Sequence, residues 1–154
     1  MEKVKEVPYG VADFVMVMEQ NLYYVDKTMF IPELEKQPRN LFFIRPRRFG
    51  KSIFLSMLHS YYDCNQSAKF QSLFGNLWIG QHPTESQGKY QVLFLDFSQV
   101  SGNIDSLERN FDFYCSVKLD GFMRRYGESY SEETREKVRK AEFAMDKLAF
   151  IHDE

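Results

Sequence analysis

The sequence predicts an α/β fold, and three observations carry that prediction. Residues 40–44 (NLFFI) and 92–97 (VLFLDF) are continuous apolar runs, the pattern of strands buried on both faces of a parallel sheet. Between them a glycine-containing turn leads into an amphipathic helix, with Ile53, Phe54, Met57, Leu58 and Tyr61 on one face. Strand, turn, helix and second strand make a βαβ-type unit. Two strands are too few to stand alone as a sheet, so the sheet of this chain reads as incomplete.

The first helix is expected after Pro8, Tyr9 and Gly10, where Val11, Phe14, Val15 and Met18 recur at helical spacing. Asn21 ends it, residues 22–25 (LYYV) are short and β-like, and Asp26, Lys27 and Thr28 form a polar turn. Thr28 can cap a helix through Lys36, with Met29, Ile31 and Leu34 inward and Pro32 tolerated in the first turn. Pro38 then breaks the chain. After the central helix, which ends near 63–67, a shorter helical piece carries Phe70 and Leu73, and 80–89 reads as a loop. Beyond the second apolar run the patterns are helical. One covers about 105–126; another starts at Ser131, with Glu132 and Glu133 favourably placed in its first turn, and continues to about 151.

The chain of 154 residues is long enough for a substantial core, and its 44% hydrophobic and 27% charged content is that of a globular protein. The 15 Phe and 9 Tyr point to an aromatic-rich interior. A net charge of −2 gives no general nucleic-acid footprint, so nucleic acid is not an expected partner of this chain. Cys64 and Cys115 have neither CxxC nor metal-type spacing and suit a reducing compartment. The segment MEKVKEVPYG lacks the apolar run of a signal peptide, and no window approaches the roughly 18 apolar residues of a membrane span. A cytoplasmic protein without membrane contact is the expectation.

The chemistry is concentrated in RPRRFGKS, residues 45–52. Gly50, Lys51 and Ser52 match the end of the phosphate-loop pattern G-x-x-x-x-G-K-[ST], while Arg45 stands where its first glycine belongs. A strand-to-helix loop suits phosphate because unpaired backbone N–H groups and the helix dipole converge on one point. Gly50 lets the backbone approach phosphate oxygens, the Lys51 ammonium can bridge β- and γ-phosphates, and the Ser52 hydroxyl can ligate Mg²⁺. Arg45, Arg47 and Arg48 can add phosphate contacts or face solvent.

The stretches YYVDKT (23–28), FFIRPRRFGKSIFLSML (42–58), FGNLWI (74–79) and VLFLDFS (92–98) resemble the bacterial AAA-ATPase-like family, closely over about 8–100 and loosely over the helical remainder. The resemblance implies a partial P-loop NTPase fold, a three-layer α/β/α arrangement with a helix-rich C-terminal half. About 8–100 would form the βαβ phosphate-loop unit, about 103–152 would be helical, and 1–154 would be the N-terminal part of the domain. RPRRFGKS is the usual loop of that family, so Arg45 is a family variant. ATP and Mg²⁺ are the implied cofactors. The implied nucleotide-binding residues are Arg47, Arg48, Phe49, Gly50, Lys51, Ser52 and Ile53, and the implied metal residues are Ser52 and Asp96. Residues 9–14 resemble the part that borders the base, and Asp26 and Lys27 match the family's DKT. Longer members commonly add a nuclease-like domain of the PD-(D/E)XK type.

Hydrolysis also needs an acid at a strand end to hold Mg²⁺. Asp96 fits loosely, but Phe97 and Ser98 follow it where a second acid is wanted, and the IDEYD-like motif of the family does not occur here. No catalytic residue is therefore assigned, and slow or absent turnover by this chain is expected. Two other readings are open: a non-enzymatic module that binds a partner or another copy of itself, and nucleic-acid binding through Arg45, Arg47, Arg48 and Lys51.

Overall fold

A computed structural model describes residues 5–38, 40–46 and 48–154. It corrects the predicted fold class. Among the described residues the chain is predominantly helical, with no β-strand and no sheet, so the three-layer α/β/α arrangement is not its fold. The one pairing of strand type is an isolated bridge between Asp63 and Tyr90. Neither apolar run is a strand. Residues 40–44 have no sheet partner, and their side chains are exposed rather than buried, Phe42 by 91% and Ile44 by 85%. An apolar run reports only that burial is favourable. A strand also needs a neighbour to pair its backbone, and none is provided here.

The chain divides into two compact units, residues 1–91 and 92–154. In the first, α1 (Phe14–Glu19) starts at Asp13, whose side chain accepts a hydrogen bond from Met16 N at 2.9 Å. Asn21, at φ 52°, ends it in the left-handed conformation that asparagine tolerates. Phe14 N donates to Ser56 Oγ at 3.0 Å and ties α1 to α3 (Lys51–Tyr62). Helix α2 (Ile31–Glu35) is shorter than its pattern suggests, because a 3₁₀ turn over Thr28–Phe30 precedes it. Ile31 is buried and Leu34 packs on the core, whereas Met29 is exposed. Two short helices follow, α4 (Phe70–Phe74) and α5 (Trp78–Gln81).

The core of this unit is aromatic. Phe14, Met57, Tyr61 and Phe74 are fully buried, Phe14 stacks on Phe74 at 4.9 Å, and Tyr61 meets Phe74 edge-on at 5.6 Å. The Tyr61 hydroxyl is satisfied by Thr84, whose backbone N–H donates to it at 2.8 Å. A phenol can therefore sit where a phenylalanine otherwise would.

In the second unit, the segment expected as the strand 92–97 lies along α6 (Ile104–Tyr126). Val92 N donates to the Tyr126 hydroxyl at 3.3 Å, and Asp96 N donates to the Tyr114 hydroxyl at 2.7 Å. The order of these bonds makes the segment antiparallel to the helix. Two tyrosines thus satisfy backbone groups that a sheet neighbour would otherwise take. Asn103 caps α6 by accepting from Ser106 N. The helix expected over 131–151 is two helices, α7 (Glu132–Lys140) and α8 (Ala144–His152). The break is stabilised from a distance, since Asp112 on α6 accepts from Ala144 N at 2.9 Å and caps α8. Lys147, only 7% exposed, reaches Asp120 at 2.7 Å and joins α8 to α6. No helix among the described residues is long and apolar enough to cross a membrane.

Candidate phosphate-binding site

The loop before α3 is shaped by backbone conformation. Gly50 is the residue preceding the helix and adopts φ 75° and ψ 21°, which glycine enters without the Cβ cost borne by other residues. Arg48 also has a positive φ of 65°, an uncommon conformation for a residue with a side chain. Two left-handed residues in three turn the chain sharply into the helix. The Gly50 carbonyl accepts the first helical bond, from Phe54 N at 3.0 Å. No side chain caps α3, which leaves the N–H groups of its first turn without an intrahelical acceptor.

Lys51 opens the helix and bends back over the loop. Its Nζ donates to the carbonyls of Arg45 at 2.7 Å and Pro46 at 2.8 Å. The ammonium thereby closes the loop on itself. Ser52 is exposed, and its hydroxyl has no hydrogen-bond partner among the described residues. Ile53 is half-buried and packs against the core, and Phe49 is exposed. Arg47, also expected at this site, lies outside the described residues.

A hollow of about 690 Å³ lies over this turn. Arg48, Gly50, Lys51, Ser52 and Ile53 form one wall and residues 7–12 form the other. Most of the loop residues singled out from the sequence therefore share one concavity with the segment that precedes α1. That second wall is a long-range feature. The periodicity of 11–18 could not have revealed it, and only the resemblance pointed toward 9–14.

Asp96 belongs to the second unit and is occupied locally. Its Oδ1 accepts from Ser98 N at 3.1 Å and Ser98 Oγ at 2.7 Å, and its Oδ2 lies 3.5 Å from Gln99 Nε2. These bonds, the Ser98 hydroxyl first, hold its carboxyl below the usual aspartate range. It starts the 3₁₀ turn Phe97–Gln99. Among the described residues, no group of three or more His, Cys, Asp or Glu side chains could hold a metal ion.

Asp26 and Thr28 are likewise structural. Asp26 Oδ1 accepts from Thr28 N and Oγ1, and its Oδ2 accepts from Trp78 N at 2.7 Å. The buried Thr28 hydroxyl accepts from Ile79 N at 3.1 Å. Together the two side chains bind the first N–H groups of α5 to this turn.

Comparison with known proteins gives this arrangement a context. A family model described as predicted AAA-ATPase matches residues 8–152. An uncharacterized protein in the vnfD 5′ region of Azotobacter chroococcum mcd 1 is 43% identical over 87 residues, 51% of this chain. The match spans 16% of that relative's length. No solved structure matches the chain.

Proposed function

Because the chain belongs to the predicted AAA-ATPase family, we propose that its loop 45–52 binds the phosphates of ATP with Mg²⁺. The observation that carries this reading is the uncapped, glycine-led first turn of α3 opening on a hollow that Lys51 and Ser52 line. An anion there receives the N–H groups of the turn and the positive end of the helix dipole. Lys51 exchanges its bonds to the Arg45 and Pro46 carbonyls for phosphate oxygens, and the loop opens as it does so. The Ser52 hydroxyl, which has no partner among the described residues, is the oxygen that this chain offers to Mg²⁺. The cation, when bound, neutralises phosphate charge. Residues 7–12 border the rest of the nucleotide.

Binding without appreciable turnover is the expected behaviour of this chain. Asp96, the acid singled out for Mg²⁺, is committed to Ser98, and no second acid follows it. In the full-length protein, the chain serves as the N-terminal portion of a cytoplasmic ATPase whose further ATPase and nuclease-like regions lie elsewhere. The length of the vnfD-region relative supports that reading, since the match spans 16% of it. Calorimetric titration with Mg-ATP tests the site. Saturable binding by the wild-type chain, lost in Lys51→Ala, is the expected result. Equal binding by both chains removes the loop from the reading.

A second reading, a protein-interaction or self-association module with a vestigial loop, is favoured by one observation. The second unit carries a hollow of about 820 Å³ with Leu93, Phe111, Phe143 and Met145 among its apolar lining. Sedimentation over a concentration series, with and without Mg-ATP, separates the two. Self-association that is indifferent to nucleotide, in a chain that binds none, supports the module.

A further inference from the structure

The turn 26–28 carries a residue whose role its neighbours do not explain. Asp26 and Thr28 point inward and hold the start of α5, as described above. Lys27, between them, is exposed; its carbonyl accepts from Phe30 N, and its ammonium has no hydrogen-bond or ion-pair partner among the described residues. Its position is not arbitrary. A methyl group on Gly50 would come within 4 Å of Ile53 Cγ2, at 3.6 Å, and of Lys27 Nζ, at 3.8 Å. The ammonium of a residue 23 positions earlier therefore lies beside the glycine that begins α3. The backbone of this lysine is held on both sides by buried or bonded side chains, so its placement at the loop follows from the fold.

We propose that Lys27 is a second phosphate-binding cation, which reaches the same anion as the Gly50 turn and Lys51. The inference rests on the reading of loop 45–52 as a polyphosphate site, and it adds a residue from outside the loop. Lys51 spends two of its donors on the carbonyls of Arg45 and Pro46. Lys27 has no such bond to break, so it meets the incoming anion first and offsets its charge while Lys51 changes partners. The ligand class is a nucleoside polyphosphate or pyrophosphate, because an ammonium is a point charge that recognises phosphate and not a base.

The test titrates the 154-residue chain with fluorescent ATP and Mg²⁺, and with pyrophosphate as competitor. Wild type, Lys27→Met, Lys27→Arg and Lys51→Ala are compared at two salt concentrations. Lys27→Met is expected to weaken binding of both ligands by about tenfold, the typical effect of one charge-assisted hydrogen bond. Its affinity should also depend less on salt, because one charge contact is gone. Lys27→Arg should retain most of the affinity, and the melting temperature should be unchanged in both. Wild-type affinity in Lys27→Met alongside loss in Lys51→Ala overturns the role of Lys27 and leaves the loop reading intact. Equal losses in Lys27→Met and Lys27→Arg, with lowered melting temperatures, also overturn it, because the lysine is then structural. A folded wild-type chain that binds neither ligand removes the loop reading and this inference with it.

Discussion

Gly50, Thr28 and Asp96 each have a local geometry that fixes what their substitution does. Gly50 sits at φ 75° with its nearest neighbours at ordinary contact distance, so alanine there meets no clash. Only the left-handed backbone opposes it, and Gly50→Ala should cost about 1 kcal/mol in chemical denaturation. A neutral substitution would mean that the loop relaxes freely. Thr28 is fully buried, and its hydroxyl accepts from Ile79 N. Thr28→Val leaves that N–H unpaired and should cost about 1–3 kcal/mol, whereas Thr28→Ser keeps the oxygen and most of the stability. For Asp96, the Ser98 hydroxyl is the largest influence on its carboxyl and lowers its pKa from the ordinary 3.8. A group depressed in the folded state adds stability above its unfolded pKa and loses it as the pH falls through the folded value. An NMR titration should find the Asp96 midpoint below 3.8, and Ser98→Ala should raise it.

The helices show how pairs between elements decide stability. Lys147 of α8 is buried, but its partner Asp120 of α6 has a side chain 41% exposed, so the two ends of the pair are not equivalent. Asp120→Ala strands a buried ammonium and should cost more, roughly 2–3 kcal/mol. Lys147→Met leaves a carboxylate that water can reach and should be nearly neutral. Comparison of the two denaturation midpoints checks the asymmetry, and the reverse order would show that α8 moves to solvate Lys147. Element legibility followed the same division between local and distant information. Helix α3 could be read because Phe54, Met57 and Tyr61 repeat on one face and are buried. The break between α7 and α8 could not, because it is capped by Asp112, which lies 32 residues before Ala144. The two apolar runs misled for the same reason. Periodicity marks a segment as apolar, but the partners of 92–97 are the hydroxyls of Tyr114 and Tyr126, and residues 40–44 have no sheet partner among the described residues.

At the scale of the whole molecule, the proposed function rests on one small region of the first unit. Three parts of the sequence converge there: residues 7–12 as one wall of the hollow, Lys27 beside Gly50, and the turn from Arg48 to Ile53. RPRRFGKS could be singled out as a candidate phosphate loop from its own residues, because the pattern of Gly50, Lys51 and Ser52 is local. The opposite wall and Lys27 are brought in by the packing of α1 on α3 and by the pinning of turn 26–28 to α5. The loop motif alone does not contain that information. Asp96, in the second unit, serves as the cap of its own turn and is bonded to Ser98. Phosphate release from Mg-ATP by this chain should therefore be slow, and Asp96→Ala should not slow it further. A clear loss on that substitution would assign Asp96 a part in hydrolysis.

The central claim is that the first turn of α3 receives a nucleotide phosphate. Its most direct measurement is the amide NMR spectrum of the labelled chain as Mg-ATP is added. The account predicts saturable shifts at Gly50, Lys51 and Ser52 and in residues 7–12, absent from Lys51→Ala. A folded chain whose amides at those positions stay unchanged at saturating nucleotide would contradict it.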